Sequence, residues 1–130
     1  MKDQELIALA AEARLNAYAP YSHYLVGAAL LAASGKVYTG VNVENSSYGL
    51  AICAERTAAV KAVSEGEREF VAIAVVTENG GTPCGACRQV LNEFGPDMRV
   101  LIADVDGNCQ AYRLAELLPA SFGPAQLPKK

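Results

Sequence analysis

Two short cysteine motifs in the middle of the chain constrain its fold more than any other feature. The first is Cys53-Ala54-Glu55, and the second is Pro83-Cys84-Gly85-Ala86-Cys87. Their three thiols can hold one zinc ion if the two segments meet in space. Three protein ligands leave a fourth tetrahedral position open for water, which distinguishes catalytic zinc from structural zinc.

A carboxylate lies two residues after the first cysteine. Glu55 is not needed as a ligand and can handle the protons of a water on the metal. Zinc can bring the pKa of its bound water to roughly 7, and the resulting hydroxide would attack an electron-poor carbon. We expect Glu55 to take the water's proton, pass it to a ring nitrogen and later protonate a departing amine. This signature, with His or Cys as the first ligand, is typical of zinc-dependent nucleobase deaminases.

The spacing of the cysteines indicates how thiolates are stabilised. Cys84 and Cys87 are three residues apart, so at the start of a helix they point to the same side, and Cys53 must come from the start of another helix. The free N–H groups and positive ends of two helices favour thiolates. Zinc with three thiolates carries a net charge of −1, for which Arg56 is a plausible counter-charge and hydrogen-bond donor. Arg88 could do the same or face solvent.

Other interpretations of the cysteines remain open. A Cys-x-x-Cys pair alone is also found as half of a structural zinc site or as a thioredoxin-like redox pair. A redox pair would not need Cys53 or Glu55. A structural zinc would need a fourth ligand, for which only His23 and Cys109 are spare. We expect His23 to be a surface histidine and Cys109 a small buried hydrophobe, so catalytic zinc is favoured.

Composition limits the class of protein. The chain has 130 residues, 52% hydrophobic residues and a net charge of −3, which predicts one domain, 1–130, with a proper core. The acidic balance argues against a nucleic-acid polymer as partner. We expect no membrane partner and a cytoplasmic location, since no apolar run or signal-peptide core is found. Four cysteines in such a chain favour metal binding over disulfides.

Hydrophobic periodicity and breaker residues predict the element order α-β-β-α-β-α-β-β-α. Helices are expected at 3–18, 53–65, 84–94 and 114–118, and strands at 25–32, 37–43, 70–77, 99–104 and 109–112. The first two strands should form a hairpin across Ser34-Gly35-Lys36. The β-α-β-α-β core implies parallel central strands covered by helices on both faces. Both cysteine motifs then open helices, where α/β folds usually place their sites.

Further segments surround the two motifs in a fixed order. They are Ala19-Pro20-Tyr21-Ser22, Val26-Gly27-Ala28-Ala29-Leu30, Asn42-Val43-Glu44-Asn45, Cys53 to Ala58, Pro83 to Gln89, Glu116-Leu117-Leu118-Pro119 and Ser121-Phe122-Gly123-Pro124. From the first helix to the tail, the chain resembles the short-chain, homotetrameric cytidine deaminases. The resemblance implies a three-layer α/β/α fold with a five-stranded mixed sheet and one zinc ion per subunit. It also implies hydrolysis of cytidine and 2′-deoxycytidine to uridine and 2′-deoxyuridine in pyrimidine salvage, with release of ammonia.

The resemblance also implies roles for single residues. The zinc ligands would be Cys53, Cys84 and Cys87, with Glu55 as proton shuttle; the substrate would contact Tyr24, Asn42, Val43, Glu44 and Ala54; Tyr48 and Phe122 would reach a neighbouring subunit's site. Asn42 and Glu44 match a pair that binds the ribose, with Glu44 on the 3′-hydroxyl. Tyr24 matches an aromatic residue that packs on the pyrimidine ring, where the family often has Phe.

Rival functions share parts of this pattern. A blasticidin-type antibiotic deaminase and enzymes acting on free or polynucleotide bases would keep the zinc motifs. The absence of a basic, aromatic-lined patch speaks against polynucleotides. A deoxycytidylate enzyme would need cationic groups for the phosphate, which the Asn42/Glu44 segment would repel. A non-catalytic zinc-binding module is the rival from outside the enzymes.

Overall fold

Nearly continuous apolar strands build a sheet that is covered by helices on both faces. The computed structural model describes residues 1–128. The helices are α1 (Asp3–Arg14), α2 (Ala54–Ser64), α3 (Gly85–Phe94) and α4 (Leu114–Leu117), with a 3-10 turn at Pro124–Gln126; the strands are β1 (Gly27–Ala32), β2 (Val37–Val41), β3 (Phe70–Thr77), β4 (Arg99–Asp104) and β5 (Cys109–Arg113). The predicted order of elements is therefore confirmed. No helix within 1–128 has the length and apolarity needed to cross a membrane.

The sheet is mixed, and its strands lie in the order β2-β1-β3-β4-β5 across residues 1–128. The predicted hairpin is confirmed, since β1 pairs antiparallel with β2 from Gly27↔Val41 to Leu31↔Val37. The other edge of β1 pairs antiparallel with β3, and β4 pairs parallel with β3 and antiparallel with β5. The expected parallel central strands are confirmed by the pair β3 and β4, whereas β2 and β3 do not pair, because the hairpin inserts β1 between them. These two strands still run in the same direction.

The ends of three elements differ from the prediction for one shared reason. Helix α1 ends at Arg14, because Tyr18 donates its backbone N–H to the Asn42 carbonyl oxygen (3.0 Å) and leaves the helix. Strand β1 begins only at Gly27, because the Val26 N–H is bound to Asn42 Oδ1 (2.9 Å). Strand β2 ends at Val41. Asn42 therefore joins the end of α1, the start of β1 and the end of β2.

Two hydrophobic cores lie on opposite faces of the sheet. On one face, Leu6 and Ala10 of α1 pack with small residues of the sheet such as Ala29 and Ala74. On the other face, α2, α3 and α4 contribute buried side chains that include Ala58, Leu91 and Leu114, which pack with Leu30, Ile73 and Val100 of the sheet. The predicted three-layer α/β/α architecture is confirmed, with one helix over one face and three over the other.

Helix α2 lies very close to strand β2. A Cβ atom added at Gly40 would lie 2.5 Å from the Ala54 carbonyl oxygen and 2.5 Å from the Ala58 nitrogen. Only glycine leaves room for this approach. Since Ala54 is the first residue of α2, Gly40 fixes the position of the helix end that carries Cys53 and Glu55.

We expect Gly40→Ala to lower the free energy of unfolding by about 2–3 kcal/mol, because the new methyl group must push α2 away from the sheet. Urea unfolding at one fixed protein concentration measures this change. Gly49→Ala is the matched control, since its added Cβ would approach nothing nearer than the Ser47 carbonyl oxygen at 3.8 Å. An unchanged midpoint for Gly40→Ala would contradict this packing of α2 on β2.

Candidate active site

Three cysteine sulfurs meet where helices α2 and α3 begin. Cys53 is the N-cap residue of α2, Cys84 is the N-cap residue of α3, and Cys87 lies in the first turn of α3. The Sγ atoms are 3.8 Å apart between Cys53 and Cys84 and 3.5 Å apart between Cys84 and Cys87. Within residues 1–128 this is the one group of three or more His, Cys, Asp or Glu residues placed to hold a metal ion.

The sulfur group fits tetrahedral zinc. Zn–S bonds of about 2.3 Å place the sulfurs of a regular tetrahedron about 3.8 Å apart, close to the distances observed here. Thiolates also select zinc over hard cations such as magnesium. Neither His23 nor Cys109, the two spare ligands of the sequence, belongs to the group. Three protein ligands therefore leave one position for water.

Cys109 corrects one expectation. The sequence predicted a buried hydrophobic residue, but the Cys109 side chain is exposed. It lies on β5, an edge strand of the sheet, where four of the five residues are exposed. The prediction relied on the usual burial of cysteine and had no information on the strand's position in the sheet.

The surroundings of the sulfurs favour thiolate at Cys53. Hydrogen bonds from Cys87, Arg56 and Cys84 lower the pKa of Cys53 to about 5, although burial opposes this shift. The hydrogen bond between Cys87 and Cys53, together with burial, raises the pKa of Cys87. Binding a metal ion to all three sulfurs therefore releases protons, as is usual for thiolate sites.

Glu55 is a buried carboxyl group beside the sulfurs. It lies in the first turn of α2, and only 5% of the residue is exposed. Burial raises its pKa to about 7, and the neighbouring Cys53 charge adds to the shift. A carboxyl group with a pKa near neutrality can both accept and donate a proton at neutral pH.

The two arginines that follow the motifs have different positions. Arg56 Nη2 lies 3.8 Å from Cys53 Sγ, and the thiolate raises the pKa of Arg56. Its Nε is buried without a hydrogen-bond partner among the described residues. Arg88 instead donates to the carbonyl oxygens of Pro83 and Leu117, both at 2.7 Å, and to Thr82 Oγ1 at 3.0 Å. Arg88 therefore holds the segment before Cys84 against α4.

A cavity of about 300 Å³ leads to the sulfurs and to Glu55. This volume falls at the lower end of the range for small-molecule sites. Its walls combine apolar residues, among them Val26, Ile52, Ala54 and Val75, with polar residues that include Ser22, Asn42 and Glu44. The arrangement suits a small ligand with an apolar ring at one end and hydroxyl groups at the other.

Glu44 and Asn42 lie on the cavity wall with most of their hydrogen bonds already made. Glu44 Oε1 accepts the backbone N–H groups of Tyr21 (3.0 Å) and Ser22 (3.1 Å), and Oε2 accepts the Ser22 hydroxyl. The Ser22 hydroxyl is the main reason that the pKa of Glu44 is lowered. Asn42 Nδ2 donates to the Tyr24 carbonyl oxygen at 2.8 Å. Both side chains are thus held in fixed orientations.

The resemblance implies three other residues in contact with the substrate, and the structure places two of them on the cavity wall and one outside it. Tyr24 and Ala54 line the cavity. Val43 does not belong to its lining; its backbone N–H and carbonyl oxygen both pair with Ile52 at 3.0 Å, which places Ile52 on the wall.

Tyr48 and Phe122 lie outside the main cavity. Tyr48 is 69% exposed and makes an edge-to-face contact with Tyr21, with ring centroids 5.3 Å apart. It lines an outer hollow that shares Ser22 and Glu44 with the main cavity. Phe122 is 58% exposed, and its carbonyl oxygen accepts a hydrogen bond from Gln89 Nε2 at 2.7 Å.

The polar residues of the wall that were not singled out from the sequence include Ser22 and Thr77. Ser22 orients Glu44, and Thr77 Oγ1 accepts the N–H groups of Gly80 (2.8 Å) and Gly81 (3.0 Å). Thr77 is only 2% exposed. The sequence did contain a signal for Thr77. It is a polar residue at the end of a long apolar strand, three positions before the pair Gly80-Gly81.

Comparison with known proteins gives consistent results in sequence and in fold. The family described as "Cytidine and deoxycytidylate deaminase zinc-binding region" matches residues 1–103. A cytidine deaminase of Halalkalibacterium halodurans is 53% identical over 125 residues, which cover 94% of this chain and 95% of that protein. One of Sporosarcina psychrophila is 48% identical over 130 residues, with 98% and 96% covered.

The crystal structure of a cytidine deaminase from Burkholderia pseudomallei superposes with a TM-score of 0.90 and 50% identity, covering 94% of this chain and 100% of that one. The crystal structure of a cytidine deaminase from Mycobacterium tuberculosis gives a TM-score of 0.82 and 43% identity, with 95% and 99% covered. Agreement at this level over nearly the whole chain places the protein in the cytidine and deoxycytidylate deaminase family.

Proposed function

We propose that this chain is a cytidine deaminase, a hydrolase that acts on the C–N bond of a cyclic amidine. It converts cytidine and 2′-deoxycytidine to uridine and 2′-deoxyuridine and releases ammonia. One observation carries the proposal: a buried carboxyl group, Glu55, lies beside a three-sulfur group that leaves one metal position for water. A reaction that adds water to a ring and removes an amine needs these two parts together.

Cys53, Cys84 and Cys87 would hold one zinc ion per subunit, which supplies an acidified water molecule as the nucleophile. Glu55 accepts the first proton of this water and delivers it to the N3 atom of the cytosine ring. It then carries the second proton to the amino group on C4, which leaves as ammonia. Water and cytidine thus become uridine and ammonia with all protons accounted for. Arg56 offsets the surplus negative charge of the thiolates.

The polar end of the cavity suits the ribose. A carboxylate has about four acceptor positions, and Glu44 uses three of them on Tyr21 and Ser22. Among the described residues, Asn42 Nδ2 has one acceptor, the Tyr24 carbonyl oxygen, so its second N–H is available to a ligand. One free acceptor and one free donor match a hydroxyl group, which both donates and accepts. We assign this role to the 3′-hydroxyl of the sugar.

The cavity favours a nucleoside over a nucleotide. The residues that line it within 1–128 include no lysine or arginine, whereas Glu44 contributes a negative charge. A 5′-phosphate would therefore find no counter-charge in the cavity. Deoxycytidylate, which the family description includes, is for this reason the less favoured substrate. The ring of Tyr24 would pack on the pyrimidine, with Ala54 beside it. Val43, which lies outside the lining, would position its neighbours Asn42 and Glu44.

The active assembly would be a homotetramer. Tyr48, Leu50 and Phe122 expose large apolar side chains, between 58% and 74% of each residue, and exposed aromatic groups are typical of interfaces. Tyr48 also has a φ of +51°, a strained conformation for a bulky residue that is often found at functional sites. In the assembly, Tyr48 and Phe122 would complete a neighbouring subunit's site.

We place the reaction in the cytoplasm, as a step of pyrimidine salvage carried out by a single domain, 1–130. Free cysteines suit a reducing compartment. A net charge of −3 gives no attraction to a nucleic-acid polymer or to an anionic membrane. The partners are therefore a small-molecule nucleoside and further copies of the same chain.

A substrate panel on zinc-loaded protein tests this function. We expect turnover of cytidine and deoxycytidine, followed by the ultraviolet change on deamination, and little turnover of deoxycytidylate, free cytosine, adenosine or blasticidin S. Glu55→Gln should lower kcat at least about 100-fold, because a general acid–base contributes roughly that much or more, and should retain the zinc.

Glu116→Gln in α4 is the matched control and should keep full activity. Turnover of blasticidin S or another base alone would retain the chemistry and overturn the substrate. A protein that binds zinc tightly and turns over nothing in the panel would refute the enzyme and favour a non-catalytic zinc module.

Glu44 and Ser22 give a prediction on binding and pH. Glu44→Gln should raise the KM for cytidine about 10- to 100-fold, because it weakens a hydrogen bond to a charged group. In the wild type, the lowered pKa keeps Glu44 ionised below the pH at which a glutamate ordinarily titrates. Ser22→Ala removes the main cause of that shift, so the pKa of Glu44 rises towards its ordinary value.

The product uridine provides the readout, since it binds without further reaction. As the pH is lowered, the Kd of uridine, measured by calorimetric titration, should rise in both proteins. The rise should begin at a higher pH in Ser22→Ala than in the wild type. Identical pH profiles for the two proteins would mean that Glu44 does not bind the sugar.

The exposed aromatic residues test the assembly. Phe122→Ala and Tyr48→Ala should each weaken the tetramer and lower cytidine turnover roughly tenfold, the scale of an interface hot spot. Light scattering coupled to size exclusion measures the mass at each dilution. Val105→Ala, which truncates another exposed apolar residue (51%), is the control. A fully active wild-type monomer would contradict a shared site.

A further inference from the structure

A hydrogen bond connects the substrate cavity to the loop that leads into the second cysteine motif. The Tyr24 hydroxyl donates to Asn79 Oδ1 at 2.7 Å. The two residues are 55 positions apart in sequence. Asn79 follows strand β3, and the loop runs from Glu78 to Thr82 before it reaches Pro83 and Cys84. We call residues 78–82 the β3–α3 loop.

This loop forms part of the cavity wall, so its position affects the site. Gly81 and Thr82 line the cavity together with Tyr24 and Cys84. Asn79 is absent from this lining and instead borders a second hollow with Asp104 and Asn108. The Tyr24–Asn79 bond therefore links a residue of the cavity wall to a loop residue outside that wall.

Three groups hold the loop by hydrogen bonds. Thr77 Oγ1 binds the N–H groups of Gly80 and Gly81 at its start, and Arg88 binds Thr82 and Pro83 at its end. Thr77 and Arg88 both belong to the same chain segment as the loop. Among the described residues, Tyr24 is the one side-chain partner of residues 79–82 from outside segment 77–88. It alone ties the loop to the opposite wall of the cavity.

The fit between Tyr24 and the loop is close. A Cβ atom added at Gly81 would lie 2.8 Å from the Tyr24 hydroxyl oxygen. The hydroxyl group thus rests directly on the backbone of the loop as well as on Asn79. A phenylalanine at position 24 would keep the ring but would lose this attachment.

We propose that Tyr24 is a positioning residue, which holds the β3–α3 loop against the substrate cavity through its hydrogen bond to Asn79. The bond keeps Gly81 and Thr82 in place before the substrate arrives. Without it, the loop must be ordered during binding, and the cost of that ordering reduces affinity for substrate and transition state alike. The effect on substrate rests on the proposed function, whereas the effect on the loop does not.

Tyr24→Phe and Asn79→Ala test the bond separately and together. Each should raise the KM for cytidine about fivefold, the value of one hydrogen bond of ordinary strength, with kcat within about twofold of the wild type. The double variant should equal either single variant, because both remove the same bond. Asn79→Asp keeps an acceptor oxygen for the tyrosine and should restore the wild-type KM.

Amide hydrogen exchange reports on the loop without any substrate. The Gly80 and Gly81 amides are protected by Thr77, so their exchange in zinc-loaded protein should be faster in Tyr24→Phe and Asn79→Ala than in the wild type. Tyr112→Phe is the matched control, since it also removes a tyrosine hydroxyl that donates to a side-chain amide, that of Gln110. It should change neither KM nor the exchange at Gly80 and Gly81.

The two measurements separate the possible failures. Unchanged exchange at Gly80 and Gly81 in both variants would overturn the proposal, whatever the enzyme acts on. Additive KM effects in the double variant would also overturn it, since Tyr24 and Asn79 would then act independently. Faster exchange in a protein that does not deaminate cytidine would support the positioning role and refute the proposed function alone.

Discussion

The spacing of strands β2 and β3 determines where the site can form. Because β1 lies between them, their axes are two strand spacings apart, about 10 Å. Packed helices have axes about 8–10 Å apart, so α2 after β2 and α3 after β3 can begin side by side. The N-cap residues Cys53 and Cys84 are thereby brought together, with their Sγ atoms 3.8 Å apart. If β2 and β3 were direct neighbours, the two helices could not both begin directly over their own strands.

Burial and charge act in opposite directions on the groups of this site, and the chemistry needs both effects. Hydrogen bonds from Cys87 and Arg56 stabilise negative charge on the Cys53 sulfur, and its pKa is lowered to about 5. Within the same first turn of α2, burial raises the pKa of Glu55 to about 7. Metal binding requires ionised sulfur, whereas proton transfer requires a carboxyl group that gains and loses a proton easily. A single helix start, residues 53–56, supplies both environments.

The sequence predicted those features that depend on residues close together in the chain. Strands β3 and β4 have their predicted bounds, because each is an apolar run that ends in turn residues. The three cysteines that could hold a metal ion were identified from spacing alone. The end of α1 and the start of β1 were not predicted, because both depend on Asn42, which is distant in sequence.

Parts of the site lay beyond sequence reasoning for the same reason. Ser22 and Glu44 are 22 residues apart, and Tyr24 and Asn79 are 55 apart. No periodic pattern or turn rule links such pairs. The burial of Cys109 was predicted because free cysteine is usually buried. Its exposure follows from the position of β5 at the edge of the sheet. The chemistry of residues close together in the chain could be predicted from the sequence. Contacts between residues far apart in the chain could be identified only from the three-dimensional structure.

The rigid parts of the site have a cost that the rest of the fold must offset. A carboxyl group whose pKa is raised by burial is held in an unfavourable environment whenever it is ionised. The Nε of Arg56, which has no hydrogen-bond partner within residues 1–128, adds a second buried polar group. Both lie beside Ala54, Ala58 and the close contact of α2 with Gly40. The tight packing of α2 on the sheet contributes to the burial of Glu55 and resists a shift of the helix that would relieve this cost. Stability and reactivity are therefore set by the same helix–strand contact.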